Sequence, residues 1–233
     1  MPPKSPKIAP QKSTKGAVTP ELFPPTSHGI SPYHPRHLLD IFVEPGHFFN
    51  TEAALGKPLN LMFAAWLLGL SSILYVAIGD RLLGITKKGV QSNLPPEVLT
   101  SWLSLWSVAI GGGIVVGAFL WVLAGWWFRE RVLLSGARRP NLRLSRIVYV
   151  YASLVRSLPP LVITLIWTLR YPSYGAVPAQ EIYIAAALSI VFSCGELISA
   201  YIGVKTLFAV DRWKAGIWFV LAPAVWYTVA LSL

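Results

Sequence analysis

Two ionisable side chains, Arg156 and Glu196, interrupt two of the long apolar stretches of this chain, and both stand where charge is costly. Arg156 lies nine residues into an apolar run that opens near Ile147, and Glu196 lies eight residues before another run ends near Val204. At about 1.5 Å per helical residue, each comes to about 12–14 Å from the same end of its helix. Groups at matched depth on neighbouring helices can pair, and two chemistries follow. An Arg–Glu couple inside a membrane can belong to a proton or ion pathway of a channel or transporter. It can equally be a buried pair that fixes the register of two helices. No second carboxylate or histidine continues a relay, which favours the structural use. Pro159 and Pro160, just beyond Arg156, predict a kink above the pair.

Other reactive groups are sparse. His28, His34, His37 and His47 all precede the first long apolar run, so none can ligate a haem or chlorophyll in a bilayer core. His47 alone is placed to bind an edge pigment or a metal at the interface. Cys194 is the single cysteine, which excludes an intramolecular disulfide and a cysteine-based zinc site. The chain has no GxSxG, HExxH or Walker-type loop and no pair of carboxylates at catalytic spacing. The expectation is a non-enzymatic protein without a cofactor other than structural lipid.

The elements that must position Arg156 and Glu196 follow from composition. Of 233 residues, 54% are apolar and only 13% charged, about half the charged fraction of a typical globular domain. Five runs reach the roughly 20 apolar residues that cross a bilayer as helix: 59–79, 99–128, 147–169, 182–204 and 213–233. The predicted fold class is therefore an all-α polytopic bundle of five transmembrane helices over residues 59–233. Residues 1–35 carry Lys4, Lys7, Lys12 and Lys15 among many prolines and read as a disordered or extended tail. Between the two, residues 36–58 read as an interfacial segment. Leu38, Ile41 and Phe42 share one helical face, and His47-Phe48-Phe49 follow as an aromatic anchor.

The formal charge of +10 is mainly a record of topology. With the N-terminus inside, 15 of the 20 basic residues fall on the cytoplasmic side and four on the other, a firm positive-inside pattern. The cytoplasmic set includes Arg129, Arg131, Arg138, Arg139, Arg143 and Arg146, expected at the membrane surface against anionic headgroups. Long apolar runs between the basic clusters exclude nucleic acid as the partner and point to lipids and other integral membrane proteins. The expected location is a bacterial cytoplasmic membrane, with the N-terminus cytoplasmic and the C-terminus outside.

Small residues provide close-packing faces. Gly113 and Gly117 form a GxxxG pair behind Gly111-Gly112, and Gly195, Ser199 and Gly203 form a four-residue series beside Ala185, Ser189 and Ser193. Such faces serve contacts within a bundle or between copies, and the glycine triplet could instead break its helix.

One pattern is more particular. Glu44-Pro45 with Phe48-Phe49 precedes the first span, and Tyr201-Ile202-Gly203-Val204-Lys205 leads through Asp211-Arg212-Trp213-Lys214-Ala215 into the last. Over residues 40–233 this resembles the Yip1 domain family, especially its bacterial members. The resemblance implies a five-span membrane scaffold or adaptor. The eukaryotic relatives act in vesicle traffic with small GTPases, and the tail here shows no recognisable version of their cytosolic recognition segment. A second reading is an accessory subunit of a large respiratory or photosynthetic complex, with the tail laid along a partner. A channel or transporter using Arg156 and Glu196 is the third.

Overall fold

A computed structural model describes residues 35–86 and 94–232. The Lys-rich tail, with Lys4, Lys7, Lys12, Lys15, His28 and His34, lies outside the described residues. Every element among the described residues is helical: α1 (Pro35–Val43), α2 (Pro45–Leu55), α3 (Pro58–Thr86), α4 (Pro96–Thr100), α5 (Trp102–Phe119), α6 (Gly125–Leu134), α7 (Leu142–Arg170), α8 (Ala179–Leu207), α9 (Arg212–Gly216) and α10 (Ala222–Ser232). Two π-helical turns, Leu120–Ala124 and Ile217–Leu221, join α5 to α6 and α9 to α10.

Local sequence sets the boundaries. Proline at the first helical position begins α2, α3 and α4, where the missing N–H would have no partner anyway. Side-chain caps start three others. Ser101 Oγ accepts from Ser104 N–H at 3.1 Å before α5, Asn141 Oδ1 from Arg143 N–H at 2.8 Å before α7, and Asp211 Oδ1 from Trp213 N–H at 2.9 Å before α9. Helix α6 stops at Gly136, whose φ of 94° suits glycine. There Gly136 N–H bonds Leu133 O and Ala137 N–H bonds Val132 O, a Schellman ending.

Four helical runs are long and apolar enough to cross a membrane: Pro58–Thr86, Trp102–Leu134, Leu142–Arg170 and Ala179–Leu207. They mark an integral membrane protein. The C-terminal run expected as a fifth span is also helical, though its π turn divides it into pieces of 5, 5 and 11 residues. The second run continues six residues past the expected Phe128, so Arg129 and Arg131 are on helix and not in a loop. Its glycine triplet stays helical, and the irregular turn comes at Leu120–Ala124 instead. Helix α7 is likewise unbroken through Pro159 and Pro160.

The bundle core has two parts. Near the end that carries Arg129–Arg146, hereafter the basic end, α2, α3, α6, α7 and α8 pack around Phe48, Phe49, Phe128, Tyr151 and Phe219. Near the opposite end, α3, α5, α7 and α8 pack around Leu74, Leu105, Trp167, Tyr174 and Ile182. Helices α3 and α5 meet backbone to backbone. A Cβ added at Gly69 would stand 2.1 Å from Gly113 O and 2.4 Å from Gly117 N. The GxxxG pair is therefore used within the chain, where close approach gains dispersion contact that apolar burial cannot supply in lipid.

The expected aromatic anchor is a correction. Phe48 and Phe49 are fully buried, not set among headgroups. The Phe48 ring packs edge-on to Tyr151 at 5.0 Å, and Phe49 lies where a side chain at Gly203 would fall. Helices α1 and α2 dock along α7 and α8, with Phe42 edge-on to Phe192 at 6.3 Å. The small residue at Gly203 is what admits the Phe49 ring, and this draws the segment into the bundle.

Candidate functional site

Helix α7 starts five residues earlier than its apolar run suggested, which makes Arg156 the midpoint of a 29-residue helix. Glu196 lies just past the middle of α8 toward the basic end. The expected pair forms: Arg156 Nε is 3.2 Å from Glu196 Oε2. The carboxylate has further partners. Ser153 Oγ donates to Oε1 at 2.7 Å, and Tyr227 Oη donates to Oε2 at 3.1 Å while accepting from Arg156 Nη1 at 2.9 Å. Ser153 is one turn before Arg156 on α7, and Tyr227 comes from α10. Three helices are thus tied through one carboxylate. The Arg156 guanidinium also lies 5.6 Å from the ring centres of both Tyr75 and Tyr227, within cation–π range.

Arg131 joins this cluster from below, a correction to its expected surface position. Its Nε and Nη2 both donate to the Trp218 carbonyl, the former at 3.0 Å, and its guanidinium sits 4.5 Å from the Phe219 ring centre. The cause is in the local sequence. In the π turn Ala222 N–H bonds Ile217 O, and Pro223 has no N–H to give. Trp218 O is left without a main-chain donor, and Arg131 supplies one.

Arg131, Tyr149, Ser153, Glu196, Phe219 and Tyr227 line a cavity of about 50 Å³, room for a few waters. Its charged lining is one guanidinium, Arg131, and one carboxylate, Glu196, which Arg156 pairs from outside the cavity. Each oxygen of Glu196 already accepts a hydrogen bond, so the geometry is that of a tie and not of a free proton acceptor. Sequence reading missed Tyr149, Ser153 and Tyr227 and set Arg131 at the membrane surface. Pro223 one turn past Phe219 was the available signal for Arg131. It also missed Glu52, which is buried on α2 and bonded to Tyr151.

The remaining expected sites are dispersed. Arg138, Arg139 and Arg143 are exposed at the basic end, and Arg143 Nη2 donates to Gly56 O at 2.8 Å. Arg129 bonds Glu130 and the Pro140 carbonyl. Arg146 lies over the Trp121 ring at 4.8 Å, with its stem against Gly125. His47 is exposed in the first turn of α2. Among the described residues no group of three or more His, Cys, Asp or Glu gathers as a metal site. Gly195 stands against Val155, and Ser199 is buried one turn along.

The opposite end holds a second Arg–Glu pair on the same two helices, Arg170 Nη1 to Glu181 Oε1 at 3.4 Å. Trp167 Nε1 donates to Glu181 Oε2 at 3.1 Å and Tyr171 Oη to Oε1 at 3.3 Å. Beside it, Arg81 Nη2 donates to Gly175 O at 2.7 Å, and Leu94 N–H donates to Asp80 Oδ2 at 3.0 Å. Burial pushes the neighbouring Tyr174 phenol above its ordinary range.

No family model matches the chain, and no curated protein or solved structure matches it.

Proposed function

We propose that the protein is a non-enzymatic membrane scaffold or adaptor of Yip1 type that binds lipids and other integral membrane proteins. In this reading it has five spans, with Arg212–Ser232 crossing last, the N-terminus in the cytoplasm and the C-terminus outside a bacterial cytoplasmic membrane. The observation that carries it is the division of labour among the helices. Charge deep in the bundle is engaged in tying α7, α8 and α10 together, whereas the apolar windows of Trp102–Leu134 and Ala179–Leu207 are only 22% buried. Two long apolar faces are thus open to lipid or to a partner's helices. The two halves of the Yip1-like pattern also meet, the Phe49 ring lying on Gly203 while Asp211 caps the last helical run.

Extraction of the full chain in a mild detergent, with identification of what co-migrates, tests this. Recovery alone, as a homo-oligomer or with several membrane proteins supports the scaffold. Recovery only in one large stoichiometric complex favours an accessory subunit instead. A reporter after Leu233 that is active only in the cytoplasm would remove the fifth crossing, and an ion flux lost in Glu196→Gln would replace the scaffold with a transporter.

A further inference from the structure

The bundle wall is uneven between α1 and the outward side of α8. There Phe42, Val155, Phe192, Gly195, Ile198 and Ser199 border a groove of about 260 Å³. Gly195 keeps it open, since a Cβ at that position would stand 3.1 Å from Val155 Cγ1. The rim residues Val191 and Ile198 are 64% and 55% exposed, so the groove opens sideways along an apolar face. In a membrane protein that side is hydrocarbon.

One polar atom breaks the apolar lining. Ser199 is 3% exposed, and its Oγ has no hydrogen-bond partner. This is not what serines on α8 otherwise do. Ser189 Oγ donates to Ala185 O and Ser193 Oγ to Ser189 O, both at 2.8 Å, which is the usual way a membrane helix satisfies a hydroxyl. Ser199 forgoes that bond, and its donor remains available at the groove.

The third feature is charge in register. Val191, Ile198 and Lys205 are seven residues apart and form one stripe of α8. Lys205 is exposed, with Nζ 5.1 Å from the Tyr201 ring centre, and it lies about 10 Å below Ile198 toward the basic end. An apolar slot, then a buried donor, then a cation, in that order toward the membrane surface, match an acyl chain, its ester carbonyl and its phosphate.

We propose that this groove is a specific site for one anionic glycerophospholipid. A single acyl chain lies between α1 and α8, Ser199 Oγ–H donates to its ester carbonyl, and Lys205 pairs with the headgroup phosphate. The site rests on the membrane reading above and adds to it a named lipid position and a role for α1, which closes the slot through Phe42 against Phe192.

The test uses the full-length protein reconstituted in phosphatidylcholine nanodiscs containing a little phosphatidylglycerol with a mid-chain diazirine. After irradiation, adducts are mapped by peptide mass spectrometry. The expected result is labelling concentrated in residues 39–45 and 191–199, well above the equally open α5 face at Ile114 and Val115. Ser199→Ala lowers the groove adducts about fivefold, the effect of one hydrogen bond. Lys205→Glu lowers them by about fivefold for phosphatidylglycerol, and leaves a phosphatidylcholine photoprobe unchanged. Even labelling of α5 and α8, or no response to Ser199→Ala in a protein that reconstitutes normally, overturns the site and leaves the membrane reading standing. Equal labelling by both headgroups overturns the role of Lys205. A chain that does not enter nanodiscs or membranes at all overturns the membrane reading itself.

Discussion

Helices α7 and α8 are joined by two Arg–Glu pairs of nearly equal length, 3.2 Å for Arg156–Glu196 and 3.4 Å for Arg170–Glu181. Their surroundings differ. The Arg156 and Glu196 side chains are 26% and 11% exposed, against 59% and 29% for Arg170 and Glu181. In the first pair both charges lie deep among apolar helices, and the carboxylate is held by Ser153 and Tyr227 as well as by arginine. In the second the arginine reaches outward, and the carboxylate is held mainly by Trp167 and Tyr171. Distance alone does not rank the two. The desolvation already incurred by the inner pair makes losing one partner expensive, whereas solvent and headgroups can replace Arg170.

The largest separation is expected from Glu196→Ala, which leaves Arg156 buried without a counter-charge. Loss of one member of a buried pair costs about 3–5 kcal/mol. It should appear as a large drop in midpoint when the detergent-solubilised protein is unfolded by heat or by titration with a denaturing detergent. Glu196→Gln keeps one acceptor oxygen, enough for Ser153 or for Tyr227 but not for both, so its cost should be smaller than that of Glu196→Ala, about 1.5–3 kcal/mol, the range for hydrogen bonds to charge. Arg156→Leu combined with Glu196→Leu should be milder than the sum of its single changes, since no charge is then stranded. Strict additivity would show that the two side chains are not coupled and would undo the contrast.

Much of this is legible in the sequence. Apolar runs gave the four long helices, and matched depth gave the Arg156–Glu196 pair. What failed shares one cause. Arg131 sits in the last helical turn of a basic end, where its residue type is the same whether it faces headgroups or turns inward. The deciding fact is a carbonyl on another helix, freed by Pro223 and the π turn. Phe48 and Phe49 misled in the same way, because aromatics suit both a headgroup belt and a core. Gly203 selected the core, and that partner is more than 150 residues away. Sequence periodicity reports which faces are apolar and leaves open which partner covers each face.

Arg131 offers an intermediate test. Arg131→Met keeps much of the stem beside Phe128 and Phe219 but strands the part-buried Trp218 carbonyl, for about 1 kcal/mol. The expected sign is a midpoint below the parent protein and above Glu196→Ala, with faster amide exchange around Ile217–Leu221. Unchanged exchange there would show that the π turn does not depend on Arg131. At the opposite end, Trp167→Phe removes the donor to Glu181 while keeping a buried ring, for about 1 kcal/mol.

The smallest effect belongs to Arg170→Ala. By distance this change breaks an ion pair much like the inner one, and by residue type it is the same Arg–Glu couple on the same helices. Yet Glu181 keeps Trp167 and Tyr171 as donors, and the arginine leaves a site that is 59% open. The expected loss is about 0–1 kcal/mol, shrinking further as salt is raised. Measured beside Arg156→Ala under one set of conditions, it isolates environment from chemistry, since the residue type removed, the residue type left behind and the helix pair are then the same. A loss as large as that of Arg156→Ala, and insensitive to salt, would mean that the opposite end is as dry as the middle. The Arg170–Glu181 pair would then lie within the hydrocarbon and not at its edge, and the span of α7 would have to shift along the membrane normal to admit it.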